Sequence, residues 1–320
     1  MTNFAVLFSA SGPKTHDSGH AMALSIISYV GCAISLVGLA LTLMTYALFR
    51  TLRKTNQQPI LMSLCVALML LLIVFIAGAA RTENLIGCRI VAVLLHYFAL
   101  ATVMWMGVEG YNMYLSFVKV MATYQSKFML KASAVAWGVP AIIVIITVSA
   151  VTSYYGNEDV CVLHGVPFQA AQFAPILLII LVNFVIFILA IRALGRSGAL
   201  VSAEKKSTSY HRARTSIAIL LLLGLTWVFG ALAVSRAQLV FDYLFSIFNS
   251  LQGFLIFYFH CIRHQEVRNQ WKSLLLGKGL RFRQTETDYR TGYPNRIPGE
   301  IIMKLVRRRC RCRWRSNRGN

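Results

Sequence analysis

Seven stretches of this chain are each long and apolar enough to cross the hydrocarbon core of a bilayer, and that feature leaves few folds open. They run over Ala21 to Phe49, Ile60 to Ala80, Cys88 to Val118, Ala132 to Val151, Gln169 to Ile191, Ser216 to Val234 and Leu239 to His260. A core about 30 Å thick takes about 20 helical residues. Lipid offers no partner to backbone N–H and C=O groups, so a spanning segment is either a helix or a strand of a closed barrel. These stretches are continuous rather than short and alternating, which selects helices. Composition agrees: 57% of positions are hydrophobic and 13% charged, against about half and about a quarter in ordinary soluble domains. The expected fold is an all-α membrane protein. Residues 21–260 form a seven-transmembrane helix bundle, residues 1–20 a short extracellular segment, and residues 261–320 a cytoplasmic amphipathic helix with a basic tail.

A net charge of +21 raises the question of nucleic acid, but that reading needs the basic residues on one folded face. Here they sit between and after the apolar stretches. All but four of the 32 lysines and arginines fall after the first, third and fifth stretches or in the C-terminal region. By the positive-inside rule those segments face the cytoplasm and the N-terminus faces outward, as in a multi-pass plasma-membrane protein. The exceptions, Lys14, Arg81, Arg89 and Arg236, keep company with Asp17, Glu83, Glu158, Asp159 and Asp242. No nucleic-acid partner is expected; the bilayer is the main one.

The cysteines sort by the same map. Cys88 and Cys161 lie on the outer side, where an oxidising compartment permits a bridge, and a disulfide between them is expected. Cys32, Cys65 and Cys261 fall in or at the ends of spans, and no spacing suggests a zinc site. The seventh stretch has no lysine for a retinal Schiff base. His96, His164 and His260 have no nucleophile or metal-like spacing beside them and read as structural, so no cofactor and no catalysis are expected.

Glu109 is the one carboxylate deep in a span. An ionisable group there is costly unless paired, neutral or near water. Asn249 and Gln252 of the seventh stretch, or Asn112 three residues on, are the expected partners, in an interhelical hydrogen bond or a switch. A single buried carboxylate also makes a poor proton relay, which counts against a small-solute transporter. Trp105, Trp137 and Trp227 lie inside spans and are expected in the core, their indole N–H groups seeking acceptors. Trp227 sits between Gly224 and Gly230, where the backbone bends without proline, and is a candidate switch.

The strings "TNFAVLF", "LLHYFALATVMWMGVEGYNMYLSFVKV", "WGVPA", "LLLGLTWVFG" and "YLFSIFNSLQGFLIFYFHC" together resemble the adhesion G-protein-coupled receptors over residues 2–275. "TYALFRTLRK" and "ILMSL" lean toward the subgroup lettered G. The resemblance implies a receptor signalling to heterotrimeric G proteins, whose partner outside is its own cleaved N-terminal fragment. It implies that the apolar segment Thr2 to Phe8, with Thr2, Phe4, Leu7 and Phe8, is a tethered agonist that enters the bundle. The chain then reads as the C-terminal fragment of such a receptor, with Met1 either an initiator or the residue before the cut. Tyr97, Phe98, Trp227, Phe229 and Asn249 are the expected agonist pocket and switch, Glu109 and Gln252 the polar core, and Asn112, Met113, Tyr114 and Met121 the G-protein contact. Asn112, Val162 and Val103 stand where relatives commonly have histidine, tryptophan and phenylalanine. The competing class is an adhesion anchor without signalling.

After the seventh stretch, "CIRHQEVRNQWKSLLLGKGL" predicts an interfacial helix with Val267, Trp271, Leu274 and Leu275 toward lipid. The basic tail beyond it carries Cys310 and Cys312, candidates for acylation.

Overall fold

The structure is a computed structural model that describes residues 18–49, 52, 57–78, 84–118, 127–156, 160–197 and 238–275. The segment Thr2 to Phe8, Met121, the sixth stretch with Gly224, Trp227, Phe229 and Gly230, and the tail with Cys310 and Cys312 lie outside the described residues. Two compact units divide the chain, Met1–Arg268 and Asn269–Asn320.

The described residues are almost wholly helical: α1 (Ser18–Leu48), α2 (Gln57–Gly78), α3 (Leu85–Val118), α4 (Phe128–Val151), α5 (Ala174–Ser197), α6 (Gln238–Ser250), α7 (Gln252–Phe257) and α8 (Gln265–Leu275). Among the described residues, five helices are long and apolar enough to cross a membrane, or six when α6 and α7 count as one bent span. The expected boundaries shift by a few residues: α2 begins at Gln57 rather than Ile60, α3 at Leu85 rather than Cys88, and α4 at Phe128 rather than Ala132. α2 gains the polar Gln57 and Gln58, whereas the residues gained by α3 and α4 are mostly apolar.

Large apolar side chains point away from the protein, among them Ile142, Ile145 and Ile146 of α4 at 59%, 64% and 62% exposure. A band of this kind would be a liability in water and is what lipid solvates. Inside the bundle α3 is central, packed against α2, α4 and α5, while α1 packs against α2, α6 and α7.

Two features depart from straight spans. The fifth opens with a helical turn, Gly165–Pro167, that continues as a π-helix over Phe168–Phe173 before α5. The seventh breaks at Leu251, between α6 and α7, with a bend of 47°, and ends in a second π-helix, Tyr258–Ile262. No proline lies at the break. The cause is Ser35 of α1: its hydroxyl donates to the Ser250 carbonyl at 2.5 Å and accepts the Phe254 N–H at 3.2 Å. A side chain has entered the ladder where residue 254 would bond residue 250, a recognised origin of kinks. Small residues allow that approach. A Cβ on Gly253 would stand 2.8 Å from Leu39 Cγ and 2.9 Å from Ser35 Cβ, and one on Gly38 would stand 3.1 Å from Phe254 Cα.

Between α4 and α5 the chain forms a short hairpin. Tyr155 pairs antiparallel with Leu163, Gly156 N–H donates to Val162 O at 3.0 Å, and His164 N–H donates to Tyr154 O at 3.2 Å. Tyr155, Val160, Cys161, Val162 and Leu163 are all buried.

In α8, Val267 is fully buried, which corrects the expectation that it meets lipid; Leu274 is half exposed. Helical spacing places a residue on a face but does not say whether protein or lipid covers that face.

Candidate functional site: a capped bundle mouth and a buried polar interior

The hairpin closes one end of the helices, and its position is set covalently. Cys88 at the start of α3 is bonded to Cys161, as expected. Gly156 adopts φ 80°, and a Cβ there would lie 2.9 Å from Cys88 Sγ, so glycine is needed both for the turn and for the bridge. Below the disulfide, Ala92, Tyr155, Leu163 and Phe168 form one apolar cluster, with Val93, Val148 and Phe173 against it.

Tyr97 and Phe98, expected in the agonist pocket, lie side by side with ring centroids 5.2 Å apart. Tyr97 leans on α4: its hydroxyl donates to Trp137 O at 3.3 Å and its ring lies 6.3 Å from the Trp137 ring. Trp105 is fully buried, as expected of a core tryptophan, with Trp137 at 6.0 Å, edge to face; Trp137 itself is half-buried. The Trp105 indole N–H, however, finds no acceptor among the described residues.

Glu109 is buried, and its Oε1 is 3.5 Å from Gln57 Nε2. The partner is therefore a residue of α2, not Asn249, Gln252 or Asn112 as expected. Gln57 opens α2 at the end where α3 closes, and those antiparallel neighbours bring two residues far apart in sequence together. Asn249 and Gln252 are buried, and among the described residues their amide nitrogens have no acceptor, the Ser246 hydroxyl has no partner and Glu109 Oε2 has no donor. Asn112 and Tyr114 are half-buried in the last turns of α3. Met113 lies in the same turns, its side chain outside the described ones.

Sequence reasoning missed three polar ties. His96 joins the hairpin to the fifth span, with Nδ1 2.9 Å from the Tyr155 hydroxyl and Nε2 3.1 Å from Ala171 O. Tyr46 donates to His260 O at 3.3 Å inside the second π-helix. Ser35 wedges the seventh span. Each is a polar residue in a mostly apolar helix, which is the signal the chain carries for them. At the hairpin end, His20 Nδ1 lies 3.2 Å from the Tyr243 hydroxyl, so the first turn of α1 is held to α6.

A bundle of apolar helices with a disulfide-pinned hairpin over one end and a buried polar interior is the architecture of a seven-transmembrane receptor. Residues 21–256 match the family described as 7 transmembrane receptor (Secretin family), and the chain belongs to that family. It is 37% identical over 297 residues to "Adhesion G-protein coupled receptor G2" of Rattus norvegicus, covering 88% of this chain and 29% of the relative. It is 37% identical over 279 residues to "Adhesion G-protein coupled receptor G4" of Homo sapiens, covering 85% and 9%. With "Adhesion G-protein coupled receptor G6" of Danio rerio it shares 36% over 298 residues, covering 88% and 25%. The chain thus spans less than a third of the length of these curated relatives. The resemblance to adhesion receptors of subgroup G holds, and the relatives are receptors rather than enzymes.

Proposed function

We propose that this chain is the signalling portion of an adhesion G-protein-coupled receptor of the plasma membrane, with the hairpin end outside and α8 in the cytoplasm. The family match over residues 21–256 carries the receptor assignment. In this reading Thr2 to Phe8 is a tethered agonist. Residues 9 to 17 link it to α1 and can reach about 30 Å when extended, and the contact of His20, in the first turn of α1, with Tyr243 anchors their root at the mouth. If the segment turns helically there, Phe4, Leu7 and Phe8 share a face by the i, i+3, i+4 rule. Burying three such side chains at about 1.5–3 kcal/mol each matches the roughly 5.5 kcal/mol that reverses a two-state equilibrium. Tyr97, Phe98, Trp227, Phe229 and Asn249 are proposed to receive the segment, and Glu109 and Gln252 to hold the polar core that repacks.

At the opposite end Asn112, Met113, Tyr114 and Met121 are proposed to meet a heterotrimeric G protein. The cleaved N-terminal fragment of the whole receptor is the proposed outer partner. The test is a G-protein activation panel on cells expressing this chain, with Phe4→Ala and Leu7→Ala as variants. Basal activation is expected to fall at least about tenfold at equal surface expression, a change of about 1.4 kcal/mol. Free TNFAVLF peptide should restore part of it. Full activity after deletion of residues 2–8 refutes the tethered agonist, and no activation of any G protein leaves an adhesion anchor as the better reading.

A further inference from the structure

His96 is 1% exposed, and none of the roles above uses it. Its Nε2 faces the Ala171 carbonyl at 3.1 Å; a carbonyl only accepts, so this nitrogen carries the proton. In a neutral imidazole Nδ1 is then the acceptor, and the Tyr155 hydroxyl 2.9 Å away donates to it. Burial pushes the Tyr155 phenol up to about 12, so it keeps that proton across the physiological range. One imidazole therefore joins α3 to a hairpin residue and to the backbone that opens the fifth span.

The backbone it holds is unusual. Ala171 lies within the π-helical turn Phe168–Phe173, where the ladder is one residue wider than in an α-helix. Pro175 lies four residues beyond Ala171, has no N–H to give and crowds the Ala171 carbonyl in an α-helical ladder, so α geometry cannot supply that carbonyl's donor. A buried carbonyl without a donor is costly, and the His96 Nε2 hydrogen bond supplies the donor that Pro175 lacks. The hairpin is fastened to α3 twice, covalently at Cys88 and by hydrogen bond at His96. The second fastening alone also reaches the π-turn.

We propose that His96 is a positioning residue that ties the hairpin at Tyr155 to the π-helical turn at Ala171, so that displacement of the hairpin takes the donor from the Ala171 carbonyl and loosens the turn that leads into α5. The consequence for signalling rests on the receptor reading above, with an occupant of the bundle mouth as the agent that moves the hairpin.

The test uses the full chain in lipid nanodiscs and hydrogen–deuterium exchange, with Tyr155→Phe, His96→Phe, His96→Gln and the double variant Tyr155→Phe, His96→Phe. Tyr155→Phe keeps the ring in its buried cluster and removes only the hydroxyl; non-reducing peptide mapping of the Cys88–Cys161 bond confirms that the fold survives. Exchange over residues 168–176 is expected to quicken at least about fivefold in Tyr155→Phe and in His96→Phe, with no further gain in the double variant. His96→Gln, which presents one donor and one acceptor, should recover part of the protection. G-protein activation per surface receptor should shift at least about fivefold in the same variants. Faster exchange confined to residues 152–164 in Tyr155→Phe overturns the tie, and altered exchange at 168–176 with wild-type activation overturns its role in signalling. If the wild-type chain activates no G protein while exchange follows expectation, the tie stands and the receptor reading fails.

Discussion

Replacing Ser35 by alanine takes away the hydroxyl that bridges the Ser250 carbonyl and the Phe254 N–H across the break in the seventh span. Two outcomes compete. Either both backbone groups stay apart and unpaired in an apolar interior, at about 1–3 kcal/mol each, or α6 and α7 straighten and residue 254 bonds residue 250 directly. Straightening recovers the hydrogen bond but must draw α7 against α1, where Gly253 and Gly38 already leave no room for another carbon. Interhelical hydrogen bonds measured in membranes average about 0.6 kcal/mol and reach about 1.7, so a net loss of about 1–2 kcal/mol is expected. For a domain of this size each kcal/mol is about 2–4 °C of melting temperature, which puts the Ser35→Ala shift at about 2–8 °C downward. Cys32, Cys65 and Cys261 are buried and free, so a thiol-reactive fluorophore reports unfolding directly. Cys310 and Cys312 are first changed to serine to remove background. A midpoint within about 1 °C of the parent refutes the wedge, because a hydroxyl that holds two backbone groups apart has to be missed when it is gone.

Two further outcomes follow from the same structure. Gly156→Ala forces a Cβ onto a residue at φ 80°, 2.9 Å from Cys88 Sγ. Non-reducing peptide mapping should show a reduced fraction of linked Cys88 and Cys161, and full linkage would mean that the hairpin has slack the packing does not show. Met121→Asp is expected to cut G-protein activation at least about tenfold with surface expression unchanged, since a charge at an apolar contact costs well over the 1.4 kcal/mol that tenfold requires. Unchanged activation would place Met121 against lipid instead.

Much of this protein is dictated by local physics and is legible along the chain. A segment in lipid has to satisfy its own backbone, so length and apolarity alone mark α1 to α5 and the seventh span as helices, to within a few residues at each end. Charge asymmetry sorted the connections, and sorting the connections singled out Cys88 and Cys161 as partners, which the structure bears out. What lay beyond reach was lateral. α2, α3 and α4 are apolar on every side, with no hydrophobic stripe to mark which face meets protein and which meets lipid. Without that mark, spacing could not choose among partners for Glu109, and the choice fell to Gln57 through the pairing of α2 with α3. For the same reason Ser35 escaped notice and His96 read only as structural, with no partner named. A serine or histidine in an apolar helix reads identically whether it bonds its own turn or enters a neighbour's ladder. The rotation of α1 against the seventh span, and of α3 against the hairpin and the fifth, decided that Ser35 opens the break at Leu251 and that His96 grips the π-turn. Only the tertiary structure supplies those rotations, because they come from packing small residues such as Gly38 and Gly253 against one another's helices, not from any property of a single helix.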